Sequence, residues 1–473
     1  MNFKLPKLRT PVRASFGFTA VGMAARAVSV LTTPIFTRLL VPGEYGLYTL
    51  YMSWLGLLTP FVTWNMQGGG LYRGLQKAGK EGRDMFLSSA VTLSLLPFGL
   101  AAAICLPVFS VGRVSVGLPV SVIALMFVQI FATGVLSYEG AADRYLYRPG
   151  HYAARELCMA FATPLLTYLL IRLAGLGAMA RILSSVAMTS AVAVPAAVGI
   201  YRRGKRFFSG RSAVFLLRFY LPLLPHYAAV GALAESGRLL LGRSGDVADL
   251  GRFGVAYAVG TAPLLLIAGI NSALQPWMFR KLAAGETEKT RSVFDAVLYL
   301  LAAATILTCL AAPEIFSFLA PETYRTALAA VIPAALSVLP HFLYLTFVAV
   351  SFYHEKTLPV TAASLLAAAV GISLNLFFVP RFGMSVIAVM TAVSYILLAV
   401  AHGISLRLRN IENPVNVKNA LLFCTLTAIM CFIVYRLYPW VWIRISVGTS
   451  VLLLALERLL RTRKLFLEPV NAV

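Results

Sequence analysis

An arginine stands in the middle of FTAVGMAARAVSVLTTPIFTRLL, Phe18 to Leu40, a stretch otherwise apolar enough to bury in a bilayer. Ser15, Thr19, Gly22, Arg26, Ser29 and Thr33 recur at spacings of three and four, which puts them on one face of a helix with Arg26 at its centre. A guanidinium at the middle of a membrane helix costs roughly 2.5 to 3.5 kcal/mol even on the most lenient scale, so it must face a protein interior or a watery cavity. Two roles meet that demand: a structural arginine that caps carbonyls or pairs with a neighbouring acid, and a contact for an anion. The polar stripe around it, and a second arginine, Arg218, early in a later apolar segment, favour the anion. A planar, permanently charged fork matches phosphate oxygens, so the chemistry expected of Arg26 and Arg218 is recognition of a phosphate-bearing cargo, with Ser29 and Thr33 beside it.

Other candidates lie farther along. RFYLPLLPHYAAVGALAESGR carries Pro222 and Pro225, which interrupt helical hydrogen bonding, next to His226 and ahead of Glu235. These four are expected to form a hinge or a coupling site, although Glu235 is also spaced to pair with Arg238, and His226 fits equally as a packing residue. Asn65 with Gln67 before a run of glycines, and Asn271 with Gln275 before Pro276, sit in similar places and suit either sugar hydroxyls or helix caps. Glu139, Asp143, Arg144, Arg148, Arg155 and Glu156 form a charged group, expected first to pair among themselves and second to capture lipid phosphate. No GxxxxGK[ST], HExxH or GxSxG motif is found, and the five histidines are dispersed, so no metal, cofactor or ATP hydrolysis is expected. The five cysteines form no CxxC pair and read as small apolar residues.

The elements that must position these residues are helices. Of the 473 residues 59% are hydrophobic and only 12% charged, against about a quarter charged in soluble domains, which implies an all-α integral membrane protein. Apolar blocks predict about fourteen spans, at 15–37, 45–66, 86–110, 117–138, 151–171, 176–200, 213–237, 253–275, 292–312, 326–351, 358–379, 383–406, 417–438 and 440–457. Uninterrupted runs of this length exclude a barrel. The net charge of +23 gathers on loops that alternate to one side, above all YRRGKRFFSGR, which places both termini in the cytoplasm and makes anionic lipids, not nucleic acid, the partner of that charge.

TRLLVPGEYGLYTLYMSW from Thr37 is echoed by GRLLLGRSGDVADLGRFGVAYAVG from Gly237, and LYRGL at Leu71 by MFRKL at Met278. Matches in one order at a nearly constant offset predict two homologous halves in the same membrane orientation, a transporter plan. The expected division is a six-helix bundle over 1–200, a basic cytoplasmic linker over 201–212, a second six-helix bundle over 213–406, and an appended helix pair with a tail over 407–473.

At TPIFTRLLVPGEYGLYTLYMSW and ADRYLYRPGHYAARELCMAFATPLLTYLL the chain resembles the bacterial polysaccharide-biosynthesis flippases, the O-antigen and capsule repeat-unit translocases of the multidrug/oligosaccharidyl-lipid/polysaccharide exporter superfamily. The resemblance implies two pseudo-symmetric six-helix bundles in a V with a further helix pair, and a place in the cytoplasmic (inner) membrane. It implies as cargo an undecaprenyl-pyrophosphate-linked oligosaccharide, flipped from the inner to the outer leaflet by alternating access, and other glycan-assembly proteins as neighbours. Arg26 matches the cavity-lining arginines of that family by position; Arg218 comes from the repeat alone. The coupling ion, proton or sodium, stays open. The alternatives are a cation-coupled drug exporter of the same superfamily, which would favour acidic cavity residues, and a membrane-embedded glycan polymerase or ligase, which would need catalytic groups on an outer loop.

Overall fold

The computed structural model describes residues 10–66, 69–110, 116–244, 246–354 and 356–467, apart from the side chains of 10–16, 69–70, 72–73, 80–81, 244, 268–269, 271–273, 276 and 463–467. The described residues are nearly all helical and contain no strand. The chain forms two compact units, Met1–Gly231 and Ala232–Val473.

The first unit holds α1 (Thr10–Leu39), α2 (Pro42–Thr63), α3 (Gly69–Ser110), α4 (Val120–Tyr145), α5 (Pro149–Ala174), α6 (Gly177–Gly204), α7 (Gly210–Tyr220) and the start of α8 (Leu224–Ser244). Helix starts follow local chemistry: Pro42 and Pro149 sit in the first turns of α2 and α5, where a missing N–H costs nothing. Gly79, at φ 66°, breaks α3 so that a short amphipathic run precedes the membrane-length stretch from Gly82. α1 packs on α5, while α3, α4 and α6 pack mutually and α7 packs on α3. One apolar core joins Leu71, Phe86, Tyr138, Leu216 and Tyr220; another joins Tyr51, Val62, Phe127 and Ile182.

The second unit holds the rest of α8, α9 (Val247–Gly260), α10 (Leu264–Ala283), α11 (Thr287–Leu310), α12 (Ala312–Leu319), α13 (Val331–Ala335), α14 (Val338–Tyr353), α15 (Thr357–Phe382), α16 (Met384–Leu408), α17 (Val417–Arg436) and α18 (Val441–Leu467). α14, α15 and α16 form one packed group, and α17 and α18 both lie on α11.

Among the described residues eleven helical stretches are long and apolar enough to cross a membrane. The second, eighth and fourteenth predicted spans are helical but fall outside those eleven. The eighth, expected as one helix over 253–275, is divided by Thr261–Pro263 into α9 and α10. Thr261 turns its hydroxyl back to the Tyr257 carbonyl, and Pro263 cannot donate to the ladder.

Candidate functional site

α1 carries the stripe. Over Gly17–Leu39 it is long enough to span, and none of its most apolar window is buried within its unit. Arg26 lies nine residues from one end and thirteen from the other, about 13 Å and about 20 Å of helix, so it lies near the middle of a stretch long enough to cross a hydrocarbon core about 30 Å thick. Its side chain is exposed on the first unit, and no hydrogen-bond acceptor or carboxylate meets it among the described residues. The structural role in which a neighbouring acid pairs with Arg26 has no support in this geometry.

One turn away, Gly22 leaves open space where a side chain would stand. Ser29 is exposed, and its carbonyl accepts from the hydroxyls of Thr32 at 3.1 Å and Thr33 at 3.0 Å. Those bonds turn the threonine hydroxyls back onto the helix and leave the Thr33 methyl, half-buried, at the surface.

Arg218 occupies the last turn of α7, exposed and without an acceptor or carboxylate among the described residues. It belongs to the first unit, as Arg26 does. α1 packs on α5 and α7 packs on α3, so no extended packed seam joins the two arginines' helices among the described residues.

The helix carrying Arg218 breaks at a single 3-10 turn, Leu221–Leu223, before continuing as α8. Pro222 lies in that turn and Pro225 in the first turn of α8; their rings crowd the preceding carbonyls and withdraw two N–H donors. His226 is buried at 2% exposure, with its ring 5.0 Å from that of Tyr227. Tyr227 in turn hydrogen-bonds the Asn65 side chain. Asn65 follows Trp64 where α2 ends, and both adopt left-handed backbone angles, φ 50° and 48°. Two successive non-glycine residues in that region are a costly break, held here by the Thr63 hydroxyl under the Asn65 N–H and by Tyr227. The Asn271 side chain lies outside the described residues, and only its place in α10 is fixed.

In the second unit Glu235 pairs with Arg238 at 2.8 Å, both half-buried. The guanidinium also lies 4.1 Å from the Tyr257 ring centroid. The next residue, Ser236, accepts a hydrogen bond from Asn375 at 2.8 Å.

Several polar groups were not singled out in the sequence. Arg181 on α6 sits against three rings, Tyr48 at 3.9 Å, Tyr45 at 4.7 Å and Phe36 at 5.1 Å. The company of Tyr45 with Arg181 carries no signal at that separation along the chain. His341 stacks on Tyr395 at 4.1 Å, with its Nδ1 buried and without a hydrogen-bond partner among the described residues. The anticipated charged group assembles in part: Arg155, 7% exposed, reaches Glu139 at 3.2 Å, Asp143 at 3.4 Å and Glu156 at 3.9 Å, and His151, from outside that group, meets Asp143 at 2.9 Å, whereas Arg148 pairs with none of these acids among the described residues.

The family model for "Polysaccharide biosynthesis protein" matches residues 12–282. No curated protein sequence matches the chain. Among solved structures, the fold is similar to that of lipid II flippase MurJ in an inward closed conformation, with TM-score 0.69 and 13% identity over 95% of this chain and 99% of that one. It is also similar to an inward-facing multidrug resistance MATE family transporter of the MOP superfamily, with TM-score 0.62 and 13% identity over 84% and 98%. A mutant of the Vibrio cholerae MATE transporter VcmN matches with TM-score 0.57 and 14% identity over 86% and 97%. At these identities the structural likeness speaks for the fold: a multi-pass helical membrane protein with the architecture of these transporters. The sequence match covers more than half of the chain, and the protein belongs to the polysaccharide biosynthesis protein family.

Proposed function

We propose that the protein is a flippase that moves a polyprenyl-pyrophosphate-linked oligosaccharide from the inner to the outer leaflet of the bacterial cytoplasmic membrane by alternating access. The observation that carries this reading is Arg26: a permanent charge at mid-depth of a membrane-length helix, exposed on its unit and without a protein partner among the described residues. Such a charge is sustained by water and by an anion, and a pyrophosphate offers several oxygens to its fork. Apolar exterior surface on α5 and α15, including Phe161, Leu165, Leu366 and Phe377, suits contact with lipid tails, so the polyprenyl chain can stay in the bilayer while the headgroup crosses. Membership in a polysaccharide-biosynthesis family supplies the saccharide class, and the fold of MurJ and MATE proteins supports transport in place of chemistry on the sugar. Which O-antigen, capsule or exopolysaccharide unit is carried depends on many weak contacts with the sugar.

The test is reconstitution. Proteoliposomes loaded on one leaflet with polyprenyl-pyrophosphate oligosaccharide should deliver it to the other leaflet, read by a membrane-impermeant lectin, while protein-free vesicles do not. Export of a hydrophobic cation by the same vesicles, with no movement of the glycolipid, would replace this reading with that of a drug exporter.

A further inference from the structure

A second polar site stands apart from Arg26, within the first unit, where the long stretch of α3 begins, α4 ends, α5 begins and α6 ends. A cleft of about 100 Å³ opens there, lined by Arg83 and Asp84 of α3, Glu139 and Asp143 of α4, Arg148 before α5, and Arg203 of α6. Its acids are engaged by the protein. Arg155 bridges Glu139 and Asp143 from behind, His151 takes the other side of Asp143, and Arg203 lies 3.6 Å from Glu139 and 3.7 Å from Asp84.

What remains over is cationic. Arg83 and Arg148 have no carboxylate partner among the described residues, and the Arg83 Nε–H is buried without an acceptor. A buried charged donor left without an acceptor costs more than a neutral one, so the site is incomplete as it stands. A cation would meet two free guanidinium groups on entry. An anion would find two donors with no carboxylate partner among the described residues.

The rest of this end of the unit points the same way. The basic segment after α6 is pinned beside the cleft: Ser88 and Thr92 of α3 donate to the carbonyls of Arg206 and Phe207, and the Ser209 N–H donates to Ser89. Gly204 is what allows that approach, since a Cβ there would stand 2.6 Å from the Ser88 hydroxyl. The strand of positive charge is thus fixed to the fold beside the opening, where it raises the local concentration of anions.

We infer that this cleft is a second anion site, for a phosphate group, with Arg83 and Arg148 as its ligands and the Glu139–Arg155–Asp143 cluster as its rigid floor. The phosphate comes either from a membrane lipid headgroup or from a small soluble phosphate, and the two sources separate experimentally.

The test uses the full chain. In detergent, thermal unfolding is followed as inorganic pyrophosphate is titrated. In nanodiscs, it is compared between phosphatidylcholine alone and phosphatidylcholine with phosphatidylglycerol. Stabilisation by pyrophosphate identifies a soluble ligand, and stabilisation by phosphatidylglycerol alone identifies a headgroup; either supports the site when Arg83→Gln and Arg148→Gln each weaken it about tenfold, whereas an effect abolished by Arg26→Ala belongs to Arg26 and overturns the inference. Should Arg83→Gln fail to fold, Arg148→Gln carries the comparison, because Arg148 is exposed. No stabilisation by either anion, or stabilisation equal in both variants and the wild type, overturns the inference. So does stabilisation by magnesium chloride in place of the anions.

Discussion

Arg444 grips Glu314 with both arms of its guanidinium, Nη1 to Oε2 at 2.7 Å and Nη2 to Oε1 at 2.6 Å, and Nη1 also donates to the Leu310 carbonyl at 2.6 Å. This fork ties α18 to the last residue of α11 and to the first turn of α12. At the opposite end of α11, Arg291 donates to the Asn413 carbonyl at 3.3 Å and Asn419 hydrogen-bonds Asp295, so the appended pair is fastened to α11 at two levels.

The fork has a pH signature. The Arg444 guanidinium holds the Glu314 carboxyl below the usual carboxylate range. A depressed folded-state value means that the unfolded chain takes up the proton first, so the contribution to stability is complete above the ordinary glutamate value of about 4.3 and is lost as the pH falls through the folded value. Glu314→Gln should therefore lower the unfolding temperature at pH 7, and the gap from wild type should close as the pH drops below about 4. A gap that persists unchanged into acid would show that the fork contributes by packing alone.

Arg155 compensates two buried acids at once. Arg155→Leu removes the cation that Glu139 and Asp143 share, leaving them only Arg203 and His151, and should cost about 3 to 5 kcal/mol of stability. Adding Glu139→Gln and Asp143→Asn in the same chain should recover part of that loss, measured by thermal unfolding in detergent. A single Arg155→Leu variant as stable as wild type would mean that the cluster is solvated.

Gly260 ends α9 where the chain closes on α13. A Cβ there would stand 2.9 Å from the Ala334 Cβ and collide with the Val331 carbonyl oxygen. Gly260→Ala should destabilise by about 1 to 3 kcal/mol, whereas Gly22→Ala, with open space around it, should be close to neutral.

The 3-10 turn at Leu221–Leu223 rests on its prolines. Replacing Pro222 and Pro225 together by alanine restores two N–H donors to the ladder and should yield a well-folded protein with a straighter helix and reduced glycolipid export. Undiminished export by the double variant would show that the break is structural only.

How much of this was legible in the sequence depends on distance along the chain. Helices of membrane length announce themselves by local apolarity, and the Pro222 and Pro225 break, the three-residue Glu235–Arg238 pair and the Glu139–Asp143–Arg155 group are all local patterns that the fold realises. Arg444 and Glu314, 130 residues apart, carry no such signal, and neither do Arg181 with its three rings or His341 on Tyr395. The division of the eighth span escaped for a different reason: a Thr–Ala–Pro step inside an apolar run changes the hydrogen-bond ladder without changing the hydropathy.

We propose that Arg26 meets an anion in transit. Its most direct test is export of lipid-linked glycan in cells that lack their own flippase, comparing wild type, Arg26→Lys and Arg26→Ala at matched membrane abundance. Wild type should restore export, the lysine variant should restore part of it because it keeps the charge but not the planar fork, and the alanine variant should restore none. Full export by an abundant, well-folded Arg26→Ala protein would contradict the account.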